Sequence, residues 1–183
     1  MNKTPYSELL RELLDYNPET GQLFWRPRKR YLFKHERDYT GFNSTWAGQP
    51  ALNSVSNKGY LVGTLLNKTL SSHQAIWCLV YGDFPPKGYV IDHINGQPTD
   101  NRISNLRCVT HQGNSKNKKL GSNNNTGQIG VTWDRQAKKW KVSVAKEKKL
   151  KFVGRFLDFN EACAARKQAE KDCGYHKNHG RIM

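Results

Sequence analysis

The chain has 183 residues, of which 36% are hydrophobic, and it carries 30 Lys plus Arg against 15 Asp plus Glu, a formal net charge of +15. This length suits one or two small domains, the apolar content is thin for a single large core, and no apolar run approaches the roughly 18 residues of a membrane span. The positive excess is the footprint of a phosphate-backbone binder, and without a basic amphipathic helix bearing a strong apolar face it argues for nucleic acid over a membrane surface.

The opening "MNKTPYSELLRELL" lacks the basic-then-apolar layout of a signal peptide, so the expectation is a cytoplasmic protein. Leu9, Leu10, Leu13 and Leu14 recur at helical spacing and predict a short helix closed by Asn17-Pro18. "NPETGQLFWRP" then reads as a turn into a strand containing Leu23, Phe24 and Trp25. The stretch from Lys29 to Thr45 is basic and irregular and is assigned no element.

From Ala47 the pattern sharpens. "NKGYLVGTLLNKTL" predicts a hairpin, and "SSHQAIWCLVYG" a helix with Ser71 as cap, Gln74 as capping-box partner and Gly82 as stop. Pro85-Pro86 forces an extended exit into the strand "GYVID". A second strand and a helix starting near Thr110 follow, the Thr110 hydroxyl serving as cap. "LGSNNNTGQ" reads as a linker. Beyond it "IGVTWD", "KWKVSVAK" and "LKFVGRF" predict three strands, and "DFNEACAARKQAEKDCG" a helix capped by Asp158 with a small-residue stripe at Ala162, Ala165, Ala169 and Cys173. Cys78, Cys108, Cys163 and Cys173 form no C-x-x-C pair, and read as buried thiols rather than a zinc knuckle or disulfide framework.

The chemistry concentrates in "VIDHINGQPTDNRISNLRCVTHQGNSKNKK", Val90 to Lys119. Cutting a phosphodiester needs a deprotonated water, a cation to absorb charge, and groups that hold the backbone in line. Neutral His93 can take the proton, Asp92 can hold a hard cation, and Asn114 can supply a second oxygen. Oxygen ligands favour Mg²⁺ or Mn²⁺ over zinc. Adjacent strand residues face opposite ways, so Asp92 and His93 serve one site only if the strand ends or bulges there, and the turn signal Asn95-Gly96 falls immediately afterwards. On the predicted helix Asn117 and Lys118 lie on the face of Asn114.

"IDHINGQPTDNRISNLRCVTHQGNSKN" resembles the motif of phage-type HNH endonucleases with their ββα-metal fold. The resemblance implies Asp92 and Asn114 as ligands of a single divalent metal and His93 as general base. It implies that Asn105 ties the loop between the strands and helps orient the histidine, and that Asn117 faces the substrate backbone. It also implies DNA hydrolysis to 5′-phosphate and 3′-hydroxyl ends. Many members carry an acidic or amide residue where this chain has Gly113, which weakens the first helical turn. His73 is read as structural, His111 has no assigned role, and His35, His176 and His179 are read as solvent-exposed or backbone-contacting.

In the C-terminal sheet Trp140, Val142 and Val144 fall on one face, Lys141 and Ser143 on the other. In the third strand Lys151, Val153 and Arg155 share one face and Leu150, Phe152 and Phe156 the other. "GVTWDRQAKKWKVSVA" with "FVGRFLDFNEACAA" resembles the Apetala-type domain of plant ethylene-response factors, which read DNA through such a sheet. Plant members place arginines at the positions of Thr132 and Ala145 and an acid at Ser143, so their base code does not transfer. Arg135, Lys141 and Arg155 are the expected DNA contacts, Lys141 and Arg155 as phosphate-positioning groups.

The expectation is an α+β protein: an N-terminal extension over 1–46, an HNH nuclease core over 47–119, a linker over 120–127, a sheet-on-helix DNA-binding domain over 128–178 and a tail over 179–183. Its partner is double-stranded DNA, with one Mg²⁺ or Mn²⁺ per site, no zinc, no small-molecule cofactor and no membrane, as monomer or homodimer. A non-cleaving DNA-binding regulator on a degenerate HNH fold is the alternative, and an RNA-binding protein is disfavoured by the lack of an RNP-type aromatic motif.

Overall fold

The computed structural model describes residues 6–65, 67–147 and 149–181. The head of the N-terminal extension, Leu66 in the first hairpin and the end of the 179–183 tail lie outside the described residues. The architecture is mixed helix and strand with small antiparallel sheets, and the chain divides into two compact units, Met1–Cys108 and Val109–Met183. That division lies at 108/109, ahead of the segment 120–127 that reads as a linker.

In the first unit, helix α1 (Tyr6–Leu13) buries Leu10 and Leu13. It ends sooner than leucine spacing suggests, because Leu14–Asn17 forms strand β1, paired antiparallel with β2 (Gln22–Trp25). The Asn17 carboxamide oxygen closes the turn by accepting from the Glu19 and Thr20 N–H groups at 3.0 and 3.2 Å. A short strand β3 (Pro50–Ala51) completes that sheet.

The stretch that carries no sequence pattern folds as a 3-10 turn at Arg30–Leu32 and a helix α2 (Glu36–Thr45). Its organising contacts are aromatic: Phe42 meets Trp25 and Phe33, and the Arg28 guanidinium lies 3.9 Å from the Phe42 ring centroid. Asn43 accepts from the Arg28 N–H and donates to its carbonyl, at 2.8 and 3.0 Å. These partners all precede the helix in sequence and lie outside it, so no periodicity within the helix announces it.

Strands β4 (Ser54–Val55), β5 (Leu61–Leu65) and β6 (Lys68–Ser71) form a second sheet, leading into α3 (Ser72–Tyr81). Ser71 precedes the helix as expected, but its hydroxyl is spent on the Gln74 side-chain oxygen at 2.5 Å and does not cap a backbone N–H. Gly82 terminates α3 at φ +87, a left-handed conformation that favours glycine. Helices α1 and α3 pack through Leu10, Leu13, Ala75 and Ile76, all fully buried. Strand β7 (Tyr89–His93) pairs with β8 (Leu106–Thr110), and between them lies a loop ending in a 3-10 turn at Ile103–Asn105.

In the second unit β8 runs on into α4 (His111–Ser115). The Asn-rich stretch that follows is folded: the Asn124 carboxamide oxygen accepts from the Thr126 and Gly127 N–H groups, and the Thr126 hydroxyl donates to the Val131 carbonyl. Strands β9 (Val131–Asp134), β10 (Lys139–Lys146) and β11 (Lys149–Phe156) form an antiparallel sheet in the order β11-β10-β9. Helix α5 (Phe159–Asp172) covers it, capped by the Asp158 carboxylate accepting from the Glu161 N–H at 2.9 Å. The buried face of α5 includes Ala162 from the small-residue stripe and also Arg166, which donates to Glu170 and to the Ser143 carbonyl.

A bulge reassigns the faces of β11. Val142 opposes Gly154 but Ser143 opposes Phe152, so Val153 is the extra residue. Arg155 therefore shares the outer face with Phe152 and Leu150, opposite Lys141, Ser143 and Ala145, while Lys151 opposes Val144 and Phe156 opposes Trp140. Simple alternation groups these residues differently because it counts no insertion.

Ile76→Ala is expected to cost about 2–5 kcal/mol, since Ile76 is fully buried where α3 meets α1. Chemical denaturation of the two proteins checks it.

Candidate active site

Asp92 and His93 end β7, and both are buried, at 8% and 4% exposure. The strand stops there. Ile94 N–H donates to the Asn105 carbonyl at 2.8 Å, and Gly96 N–H returns to the His93 carbonyl at 2.9 Å. The turn at Asn95-Gly96 thus follows directly on the strand end that carries both residues.

Asp92 is held by charge. Its Oδ2 accepts from both Nε and Nη2 of Arg107, at 2.9 and 2.7 Å. Arg107 comes from β8, the strand paired with β7.

His93 is held by a neutral group. Its Nε2 lies 3.0 Å from Oδ1 of Asn101, a residue with no exposed surface. A carboxamide oxygen only accepts, so Nε2 carries the proton and the lone pair sits on Nδ1. Burial pushes the His93 pKa below its ordinary value, opposed by the Asn101 hydrogen bond and the Asp92 and Asp100 charges. The ring is therefore neutral at pH 7, the state a general base needs.

Around it stand His73, edge-on at 5.2 Å between ring centroids, and Tyr60 at 5.8 Å. Burial and the neighbouring His93 push His73 down to about 4. Its Nδ1 is buried and has no hydrogen-bond partner among the described residues.

Asn105 ties the loop. Its Oδ1 accepts from the Asn95 N–H at 3.0 Å, and its Nδ2 donates to Asn95 Oδ1 at 3.0 Å and to the Asp100 carbonyl at 2.8 Å. Asp100 in turn binds Arg102 and Asn95, and the Arg102 guanidinium foremost holds its carboxyl down at about 2. The direct hydrogen bond to the histidine comes from Asn101, which sequence reasoning overlooked. "TDNR" reads as one more polar turn, and nothing local shows that its Asn points inward.

Asn114 is half-buried on α4, in the second unit. Thr110 caps that helix as expected, its hydroxyl accepting from the Gly113 N–H at 3.0 Å. The helix is shorter than expected and stops at Ser115, so Asn117 and Lys118 lie beyond it. The next two bonds tighten to i+3 spacing, with Lys116 N–H on the Gly113 carbonyl and Asn117 N–H on Asn114. Asn117 is 3% exposed, and its carbonyl and side-chain oxygens accept from Arg181 Nη1 at 2.6 and 3.1 Å. Lys118 is exposed, and its carbonyl accepts from the Gly180 N–H. A tail residue, Arg181, thus fixes the chain after α4, which local sequence cannot show.

On the second unit's sheet, Lys141 stands between Thr132 and Arg155 on the face away from α5. Arg155 donates to Asp134 at 2.9 Å and lies 5.3 Å from the Phe152 ring, with its side chain still 45% exposed. Arg135 is exposed in the β9–β10 turn. Of the two readings given for His179, exposed or backbone-contacting, burial removes the first: its side chain is buried 3.8 Å from Glu170, and burial pushes its pKa down to about 4, opposed by a backbone contact with Lys116.

Among the described residues no cluster of three or more His, Cys, Asp or Glu side chains could hold a metal by itself, and no helix is long and apolar enough to cross a membrane. A carboxylate oxygen such as that of Asp92 is a donor type that a small hard dication accepts.

Two comparisons bear on this geometry. Residues 72–116, which run from α3 through β7 and β8 to the end of α4, match the HNH endonuclease family. The chain is also similar to "Protein 3.8" of Escherichia phage T7, 36% identical over 77 residues; the match covers 42% of this chain and 63% of that relative. The chain thus spans less than two thirds of the length of that curated relative. No solved structure matches.

The two depressed histidines give a signed prediction. The unfolded chain protonates these rings near 6.5 and the folded chain only near 4, so their stabilising effect is complete above pH 6.5 and is lost as the pH falls towards 4. For His73 the loss reaches up to about 3 kcal/mol. Urea midpoints are expected to fall from pH 7.5 to pH 4.5, and His73→Phe to flatten part of that fall.

Proposed function

We propose that the chain is a metal-dependent DNA endonuclease of the HNH class whose second unit docks on duplex DNA and biases where the cut falls. The observation that carries the reading is the buried neutral His93, its tautomer set by Asn101, beside the buried Asp92 carboxylate and within the residues that match the HNH endonuclease family. His93 Nδ1 takes a proton from a water molecule, the hydroxide oxygen attacks phosphorus, and the bond from phosphorus to the 3′-oxygen breaks. The 3′-oxygen leaves as a hydroxyl after protonation, and the phosphate stays on the 5′ end.

One Mg²⁺ or Mn²⁺ bound by Asp92, with Asn114 as second ligand on the motif's spacing, would absorb charge on the phosphate and the leaving oxygen. Arg107 already neutralises much of the Asp92 charge, so the cation shares that carboxylate with a guanidinium. This pairing is the one observation that favours the alternative, a DNA-binding regulator that does not cleave.

The docking role is supported by the charge excess and by the outer sheet face bearing Lys141 and Arg155 beside exposed Phe152 and Leu150. A helix-backed three-stranded sheet is a known way to enter the major groove, and the resemblance to Apetala-type domains points the same way. Two joined DNA-binding modules gain affinity through effective concentration. The host-cell cytoplasm, as for a phage protein, is the setting this reading implies.

Supercoiled plasmid is expected to be nicked or linearised with Mg²⁺ and left intact in EDTA. Asp92→Ala and His93→Ala should each slow cleavage by about 100-fold or more without weakening DNA binding tenfold. Full-rate cleavage by His93→Ala would remove it as the base, and DNA binding with no strand breaks in any divalent metal would leave the regulator.

Lys141→Ala tests the docking face. Affinity for duplex DNA should fall alike across sequences, and the slope of log affinity against log salt should flatten by about 1. An unchanged slope in a filter-binding titration takes Lys141 off the phosphate.

A further inference from the structure

We propose that Asn101 is a positioning residue for His93, and that the β1–β2 hairpin of the N-terminal extension holds Asn101 in place through Tyr16 and Gly21. The activity part of this inference rests on the nuclease reading above; the structural part does not.

Asn101 has no exposed surface, and its Oδ1 lies 3.0 Å from His93 Nε2. Its Nδ2 is also buried and has no hydrogen-bond partner among the described residues. A buried amino group without an acceptor is destabilising, and a leucine of similar size would avoid that cost. The carboxamide therefore has its effect through its oxygen, and that oxygen meets the imidazole. An acceptor there holds the ring as the Nε2–H tautomer and leaves Nδ1 basic.

The backbone on both sides of Asn101 is pinned. The Asp100 carbonyl accepts from Asn105 Nδ2 at 2.8 Å. The Asn101 carbonyl accepts from the Tyr16 hydroxyl at 3.3 Å, and the same hydroxyl accepts from the Ile103 N–H at 2.8 Å. Tyr16 thus bridges the chain across Arg102.

Gly21, at the other end of the hairpin turn, lies against the same peptide. It has φ +74, and a Cβ on it would stand 2.5 Å from the Arg102 nitrogen and 2.7 Å from the Asn101 carbonyl carbon. Two independent contacts from one hairpin therefore bear on the residue that orients the histidine. They give the N-terminal extension a part in the chemistry that neither its composition nor its distance in sequence suggests.

The experiment reads the His93 tautomer by long-range proton–nitrogen NMR of the imidazole at pH 7.5, alongside single-turnover cleavage of plasmid. Wild type should show one Nε2–H tautomer. Asn101→Leu should show a mixture or the Nδ1–H form, and slow cleavage by about 10- to 100-fold with DNA affinity unchanged. Asn101→Asp, which keeps an accepting oxygen, should retain the wild-type tautomer.

Tyr16→Phe, which deletes only a hydroxyl, should shift the tautomer population or broaden the imidazole signals, and carries the test if Asn101→Leu does not fold. A folded Asn101→Leu with an unchanged Nε2–H tautomer overturns the role of Asn101, and an unchanged Tyr16→Phe spectrum and rate overturns that of the hairpin. If the tautomers shift as expected while wild type itself cuts no DNA, the positioning stands and the nuclease reading falls.

Discussion

Holding an imidazole neutral and in one tautomer inside a chain of net charge +15 demands both burial and a specific neutral partner. Burial alone keeps the proton off but leaves the ring free to exchange tautomers. A carboxylate partner would fix the tautomer but draw the ring towards the charged form. At His93 a carboxamide oxygen resolves the conflict, as it accepts a proton without bringing a full charge. The rest of the first unit can be understood as what keeps that oxygen in place: Asn105 on one side of the Asn101 peptide, Tyr16 and Gly21 on the other.

Asp92 shows the opposite solution for its neighbour. A buried carboxylate must be compensated, and Arg107 does so from the adjoining strand with two donors on one oxygen. One strand end therefore presents a neutral base and a compensated anion in consecutive residues. The chain turns at Asn95-Gly96 immediately afterwards. On the second unit, Lys141 and Arg155 keep partly exposed positions on the sheet face opposite α5.

Much of the fold is legible where the signal is local. The capped starts of α4 and α5 follow from Thr110 and Asp158, because a cap involves only the next three residues. Gly82 ends α3 for the same reason. Three misreadings share a non-local cause. Leu14 looks helical until β2 claims Leu14–Asn17 as a partner strand. Asn117 looks like a helix-face residue until Arg181, far along the chain, binds its carbonyl. The faces of β11 invert at a bulge that only strand pairing reveals.

The candidate site divides in the same way. The sequence by itself determined the kinds of groups and their order: an acid beside a histidine, a turn, a loop asparagine, and a further asparagine on a capped helix. It determined the basic character that points to a phosphate partner, since charge is a property of composition. Only the tertiary structure decided that Asn101 orients the histidine, that Arg107 neutralises Asp92, and that the N-terminal hairpin supports both sides of the turn at Arg102. Those are contacts across strands and between distant segments, set by packing and register, and hydrogen bonds of that kind have no footprint in the spacing of residues along the chain.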